Sequence, residues 1–238
     1  MAKRRFSCSC EGYFIEEANE ADNEELIELL TNVFLETETL MYRLMLNADP
    51  DRDERKIINQ DKYITMTSLV RDSDYKKIIA VHEETSRIAG ILILRTYTKE
   101  NRPESNKEDR HEEKPQSRVF SDLYGYMEYI EKQVDVFKLY TDCESYTEFE
   151  LVTVRPTDRQ KGLAFELLKA GKEVAKENPK VNLLYGIYTS PYSQNMAKKL
   201  GKRSIFEMNI SQYTDKDGIK VFQGIDPKQV VSIMTMKI

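Results

Sequence analysis

The stretch Glu150-Leu151-Val152-Thr153-Val154-Arg155-Pro156-Thr157-Asp158-Arg159-Gln160-Lys161-Gly162-Leu163-Ala164, continued by Phe165-Glu166-Leu167-Leu168-Lys169, decides the fold. A β-branched run ends at a proline, a short polar turn follows, then a glycine, then an amphipathic helical pattern. That order predicts a strand feeding a helix N-terminus through a tight turn. The first N–H groups of a helix have no intrahelical partner and carry the positive end of its dipole. A turn built this way, with a glycine that lets the backbone come close, suits an anion and above all a phosphate.

Working outward, the elements on either side alternate between strand and helix. Gly12 to Ala18 reads as a first strand. Asp22 and Asn23 offer caps for a helix whose apolar face carries Leu26, Ile27, Leu29, Leu30 and Val33, running on through Phe34 to Leu40. Asp53 to Ser68 is a second helix, and Tyr75–His82 with Ile88–Tyr97 is a hairpin. Phe120 to Tyr140 has helical spacing in Leu123, Met127, Ile130, Val134 and Phe137. Tyr146–Val154 is the central strand and Gly162–Lys176 the helix after it. Strands are expected at 181–188, 205–213 and 230–236, with a helix over Ser193–Leu200 closed by Gly201. Mixed strands and helices in this order predict one α/β domain over 1–238. Lys99 to Ser117 interrupts the pattern with charge and two prolines, and reads as a disordered surface insertion.

Composition narrows the class. With 238 residues, 40% of them hydrophobic and 32% charged, the chain has enough apolar residues for one sizeable core. No apolar run approaches a membrane span, and the basic start Lys3-Arg4-Arg5 is not followed by a signal-type apolar segment. Three cysteines without such a signal predict reduced thiols and a cytoplasmic setting. Cys8-x-Cys10 has no Cys/His cluster to complete it, so no metal is expected. A net charge of −5 argues against nucleic acid as a partner. His82 and His111 read as structural and solvated residues respectively rather than as ligands or bases.

Arg-x-x-Gly-x-Ala at 159–164, straight after a strand, resembles the pyrophosphate signature of the GNAT superfamily of N-acetyltransferases. Three further stretches resemble its insect arylalkylamine N-acetyltransferase branch. They are Phe34-Leu35-Glu36-Thr37-Glu38-Thr39-Leu40, Asp135-Val136-Phe137-Lys138-Leu139-Tyr140, and Thr189-Ser190-Pro191-Tyr192-Ser193-Gln194 followed by Ala197-Lys198-Lys199-Leu200-Gly201. The resemblance implies a central mixed, mostly antiparallel sheet with a splayed central strand pair and helices on both faces. It implies acetyl-CoA as co-substrate, a small primary amine as acceptor, no metal and a monomer. Backbone groups of Leu151, Val152, Thr153 and Val154 would bind the pantetheine arm, with the Val152 N–H polarising the thioester. Arg159, Gln160, Lys161, Gly162, Leu163 and Ala164 would wrap the pyrophosphate. Glu38 falls on the family's catalytic glutamate, Ser193 on its proton-donating serine, and Thr189 on its other hydroxyl position.

The chain departs from that pattern in places. Thr39 replaces a proline, Lys202 stands where phenylalanine commonly follows the Leu-Gly pair, and Ala197 stands where many members carry a tyrosine acid. Some residues keep two readings. Glu38 is a base or one more acid beside Glu36. Ser193 returns a proton or caps a helix, and Ser190 caps or touches the cofactor. Tyr42, Tyr124, Tyr126, Tyr129, Phe137 and Tyr140 line an aryl pocket or fill the core. Rival functions are the same chemistry on a polyamine, an amino acid or a protein N-terminus, or acyl-CoA binding without catalysis.

Overall fold

Strand β5 (Ser145–Val154) holds the centre of the molecule and carries an irregularity that shapes everything around it. Against β4 (Ile88–Thr98), Phe149 faces Leu94 and Leu151 faces Ile93, so Glu150 is an extra residue on β5. Such a bulge bends its strand and turns the flanking side chains. On its other edge β5 pairs in parallel with β6 (Val181–Tyr188), but only from Ser145 to Glu148 against Val181 to Tyr185. Beyond that point the two strands part, and Phe149–Val154 leaves an edge without a β6 partner.

The computed structural model describes residues 3–102 and 114–238. The remaining strands are β1 (Arg5–Phe6), β2 (Tyr13–Glu17), β3 (Tyr75–His82), β7 (Arg203–Asn209) and β8 (Val230–Lys237). Together they form one eight-stranded sheet in the order β1-β2-β3-β4-β5-β6-β8-β7, antiparallel throughout except at β5–β6. That is the mixed, mostly antiparallel sheet with a splayed central pair that the sequence led us to expect.

Helices cover both faces. On one lie α1 (Asn23–Leu29), α3 (Thr39–Ala48), α4 (Arg52–Arg71) and α5 (Arg118–Glu131), burying Leu26, Leu40, Met41, Val70 and Phe120 against Ile79, Ile91 and Ile93. On the other lies α7 (Leu163–Lys176), whose Leu163, Leu167, Leu168 and Val174 pack on Ile78, Leu92, Leu94 and Phe149. Its neighbour α8 (Pro191–Leu200) packs Ala197 against Tyr188 and Met234. Alternation along β5 sends Leu151 to the first core and Val152 and Val154 to the second.

Three elements differ from the sequence expectation. The helix through Leu40 stops at Thr37: a π-helical turn at Leu30–Phe34 leads into the short α2 (Leu35–Thr37), Glu38 breaks out with ψ 133°, and α3 starts afresh at Thr39. The helix expected over 120–140 ends at Glu131, and Asp135 caps a separate α6 (Val136–Leu139) by accepting from the N–H groups of Phe137 and Lys138. The strand expected to reach Tyr213 ends at Asn209 and passes into a 3-10 turn at Ile210–Gln212.

Both flanks of the expected insertion are folded. Asn101 closes a turn onto the Thr98 N–H, and Arg102 pairs with Asp135 at 2.9 Å. Ser117 is buried, caps α5, and with Gln116 donates its backbone N–H to the Asp61 carboxylate. Residues 103–113, including His111, lie outside the described residues. His82 meets the Tyr13 ring edge-on at 5.0 Å, a structural position as expected.

Gly90 marks the tightest place in the central ladder. A Cβ there would stand 2.8 Å from the Thr153 carbonyl oxygen, a backbone atom of β5 that cannot step aside. Gly90→Ala is therefore expected to destabilise the fold by about 1–3 kcal/mol, read as a lower urea midpoint with an unchanged slope.

Candidate active site

The turn after β5 carries the conformation that an anion site needs. Pro156–Asp158 is a 3-10 turn, Gln160 takes φ 64° and Gly162 φ 90°. Alternating left-handed residues turn successive N–H groups toward one concavity. Gly162 occupies the N-cap of α7 and has no side chain to cap it, so the first N–H groups of α7 are free of side-chain capping. Arg159–Ala164 is thus the turn and helix start that follow β5, in the order expected from the sequence.

The two cationic side chains of the turn are engaged elsewhere. Lys161 points back into the protein, where its Nζ donates to the Tyr13 hydroxyl at 2.5 Å. Tyr13 in turn donates to Asp158 at 2.7 Å, and Arg87 and Thr157 complete the set around that carboxylate. Burial alone would push the Asp158 carboxyl up, but the hydrogen bonds from Tyr13, Arg87 and Thr157 outweigh it and hold the group at about 2. Lys161 therefore braces the loop from behind. Arg159 reaches sideways, with Nε donating to the Val154 carbonyl at 3.0 Å and Nη2 to the Thr37 hydroxyl at 3.2 Å. The N-terminal segment backs the same loop: Cys10 Sγ donates to the Lys161 carbonyl and Ser9 to Glu166. Nothing in the local pattern of residues 8–10 announced that contact.

Glu38 and Thr189 are brought together from 151 positions apart. Thr189, the residue after β6, donates to Glu38 Oε1 at 2.8 Å, and Met41 N–H donates to Oε2 at 2.8 Å. The carboxylate thus sits at the N-cap of α3, in the break between two helical segments. Burial raises its pKa above the ordinary glutamate value, and hydrogen bonds from Met41, Thr189 and the neighbouring backbone recover only part of that shift. Such a carboxylate is more basic than a surface acid. Tyr126 is close enough that the Glu38 charge adds to burial in raising its phenol, and its hydroxyl is buried with no hydrogen-bond partner among the described residues.

The other candidates divide. Ser190, not Ser193, is the N-cap of α8; Ser193 sits at the third helical position and donates its hydroxyl back to the Ser190 carbonyl at 3.0 Å. The two serines form a reciprocal capping box, and Ser193 makes no hydrogen bond to Glu38 or Thr189. Leu151–Val154 lines the edge that β6 leaves open. Of the aromatics, Tyr126 meets Tyr213 and Phe222 edge-on near Glu38, whereas Tyr124 bonds Thr65, Tyr140 bonds Thr235 and Tyr42 is exposed. Among the described residues no group of three or more His, Cys, Asp or Glu is placed to hold a metal, and no helix is long and apolar enough to cross a membrane.

No protein-family model matches the chain. Solved structures share its fold across nearly its whole length. An arylalkylamine N-acetyltransferase 2 from Aedes aegypti superposes with a TM-score of 0.75 at 21% identity, covering 95% of this chain and 99% of that one. A polyamine N-acetyltransferase of Drosophila melanogaster, which forms N-acetylagmatine, gives 0.69 at 16% identity, with 95% and 100% covered. An Arabidopsis thaliana NAA60 in complex with a bisubstrate analogue gives 0.54 at 10% identity, with 95% and 99% covered. The fold is that of the GNAT N-acetyltransferases, and it resembles their insect arylalkylamine branch.

The Asp158 brace predicts a pH signature. Its folded-state pKa lies below the unfolded value of about 3.9, so the stability it contributes is complete above that value and is lost as pH falls toward 2. Asp158→Asn is expected to lower stability by about 2 kcal/mol at neutral pH. The gap to the native protein should close between pH 4 and pH 2 in chemical denaturation series.

Proposed function

We propose that this chain transfers an acetyl group from acetyl-CoA to a small primary amine, with an arylalkylamine as the first candidate acceptor. The observation that carries the reading is the Thr189–Glu38 hydrogen bond. Through it a carboxylate of raised basicity is held just past the end of β6, the strand that parts from β5. The shared fold of arylalkylamine and polyamine acetyltransferases supports the same reaction class. Arylalkylamines are preferred because the stretches around Glu38 and Thr189 resemble that branch and because Tyr126, Tyr213 and Phe222 gather near Glu38.

In this reading the loop 159–164 and Ser190 hold the diphosphate end of acetyl-CoA, and the pantetheine arm lies along Leu151–Val154. An alkylamine has a pKa near ~10 and arrives as an ammonium ion. Glu38 attracts the cation and takes a proton from nitrogen, directly or through water. The freed lone pair attacks the thioester carbon while the Val152 N–H stabilises the oxygen. As the intermediate collapses the C–S bond breaks, the nitrogen releases its second proton to water, the amide forms, and the thiolate takes a proton. Thr189, already bonded to Glu38, can pass one to it and be reprotonated from the same carboxyl. Ser193 is the alternative donor that the resemblance suggests, once released from its cap.

The test is thiol release from acetyl-CoA with dopamine, serotonin, tyramine, spermidine and a short peptide as acceptors. Turnover confined to the first three is expected. Turnover only with spermidine or the peptide would keep the chemistry and discard the acceptor class. Glu38→Gln should lower kcat by about 10²–10⁴-fold while leaving acetyl-CoA affinity intact. The native rate should fall on acidification through a pKa above the usual glutamate range, and that limb should vanish in the variant. Undiminished turnover by Glu38→Gln would sink the assignment.

A further inference from the structure

The cleft between β5 and β6 has a closed end, and two buried polar groups stand there that acetyl transfer leaves unused. Lys202 follows Gly201, whose φ of 108° ends α8 and turns the chain inward. The side chain is 2% exposed. Its Nζ donates to the Tyr185 carbonyl at 2.7 Å and stands 4.2 Å from the centre of the Phe149 ring. Tyr185 is the last β6 residue paired with β5, and Phe149 is the first β5 residue beyond that pairing. The amine therefore sits at the vertex where the strands part.

Tyr188 brings a second donor to the same place. Its ring folds back along β6 and lies 5.3 Å from Lys202 Nζ, with its hydroxyl 3.0 Å from where a Cβ on Gly186 would stand. That hydroxyl is buried and has no hydrogen-bond partner among the described residues. Lys202 makes one hydrogen bond there and, as an ammonium, has two N–H groups to spare. Burial lowers its pKa to about 7, and the nearby Glu148 charge recovers only part of the shift. Lysine is almost never buried without a partner, and buried donors left unpaired are costly. A carboxylate would accept from both groups at once and keep the lysine charged.

We propose that the vertex of the cleft is a subsite for the carboxylate end of a dicarboxylic acyl group, so that the protein accepts acyl-CoA donors of the succinyl class beside acetyl-CoA. The inference rests on the acyl-CoA reading of the cleft given above. Glu38 and Thr189 mark where the acyl carbon is attacked, and from Thr189 back to Gly186 is about 10 Å of strand. An acyl chain of a few carbons, running from the reacting carbonyl toward Lys202 and Tyr188, falls within that length. A neutral chain of the same length would press its methyl end against an amine and a hydroxyl and pair neither.

The experiment compares binding of CoA, acetyl-CoA, butyryl-CoA and succinyl-CoA to the purified full chain by calorimetry. Butyryl and succinyl have the same number of carbons and differ in the terminal carboxylate. The native protein is expected to bind succinyl-CoA at least about tenfold more tightly than butyryl-CoA. Lys202→Met should abolish or reverse that preference without changing affinity for CoA, and Tyr188→Phe should weaken it. Lys202→Phe, which restores the residue common in the resembled family, serves as a second variant should the methionine protein fold poorly. Equal affinity for the two donors in native protein, or an unchanged preference in the Lys202 variants, overturns the subsite while CoA binding leaves the cofactor reading standing. Failure of CoA and acetyl-CoA to bind at all would overturn both.

Discussion

The parting of β5 from β6 is the constraint on which the rest depends. One surplus residue, Glu150, bends β5 away from a parallel partner that it has held for only a few positions. Parallel pairs in a sheet normally run on under crossover helices, with every backbone group satisfied. Here the ladder stops in the middle of the domain, and half of β5 keeps a hydrogen-bonding edge with no strand against it. An edge of that kind invites an extended ligand that can supply the missing strand's donors and acceptors. The uncapped start of α7 at the far end of β5 and the Glu38–Thr189 pair beside the end of β6 are both positioned by that one divergence.

The sheet and its helices were readable because each signal was local. The β-branched run before Pro156, the glycine at 162 and the spacing of Leu163, Leu167, Leu168 and Val174 are decided within a few residues of one another. The boundaries that escaped were decided by capping and by distant partners. Glu38 reads as part of one continuous helix, yet its side chain prefers to accept the Met41 N–H, and this breaks the helix in two. Asp135 does the same before α6. The flanks of the charged insertion look solvated in sequence, but Asp61, more than fifty positions away, fixes the backbone of Gln116 and Ser117.

The candidate site shows the same split. The strand at 151–154, the turn at 159–162 and the helix start at Leu163 stand where the local pattern predicted them. The side-chain roles were less legible. Lys161 looked like a phosphate ligand and is instead bound to Tyr13, and Ser193 lies inside the cap that Ser190 heads. Lys202 drew notice only as a departure from a family pattern, and its burial depends on Phe149, Tyr185 and Tyr188, none of them near it in sequence. Burial and partner choice are long-range properties, and a charged residue on a short motif carries no mark of which way its side chain will turn.

The brace behind the turn after β5 has a consequence for the order of assembly. Asp158 is held by Tyr13 and Arg87, 145 and 71 positions earlier in the chain, and Lys161 is held by Tyr13 as well. Contacts that far apart in sequence form only after large loops have closed and their entropy has been offset. The strand-turn-helix segment can reach its own secondary structure early, but the brace behind its turn closes only once β2, which carries Tyr13, has docked. The braced form of the turn is thus a property of the completed domain. A chain in which β2 is still undocked carries the motif without its brace.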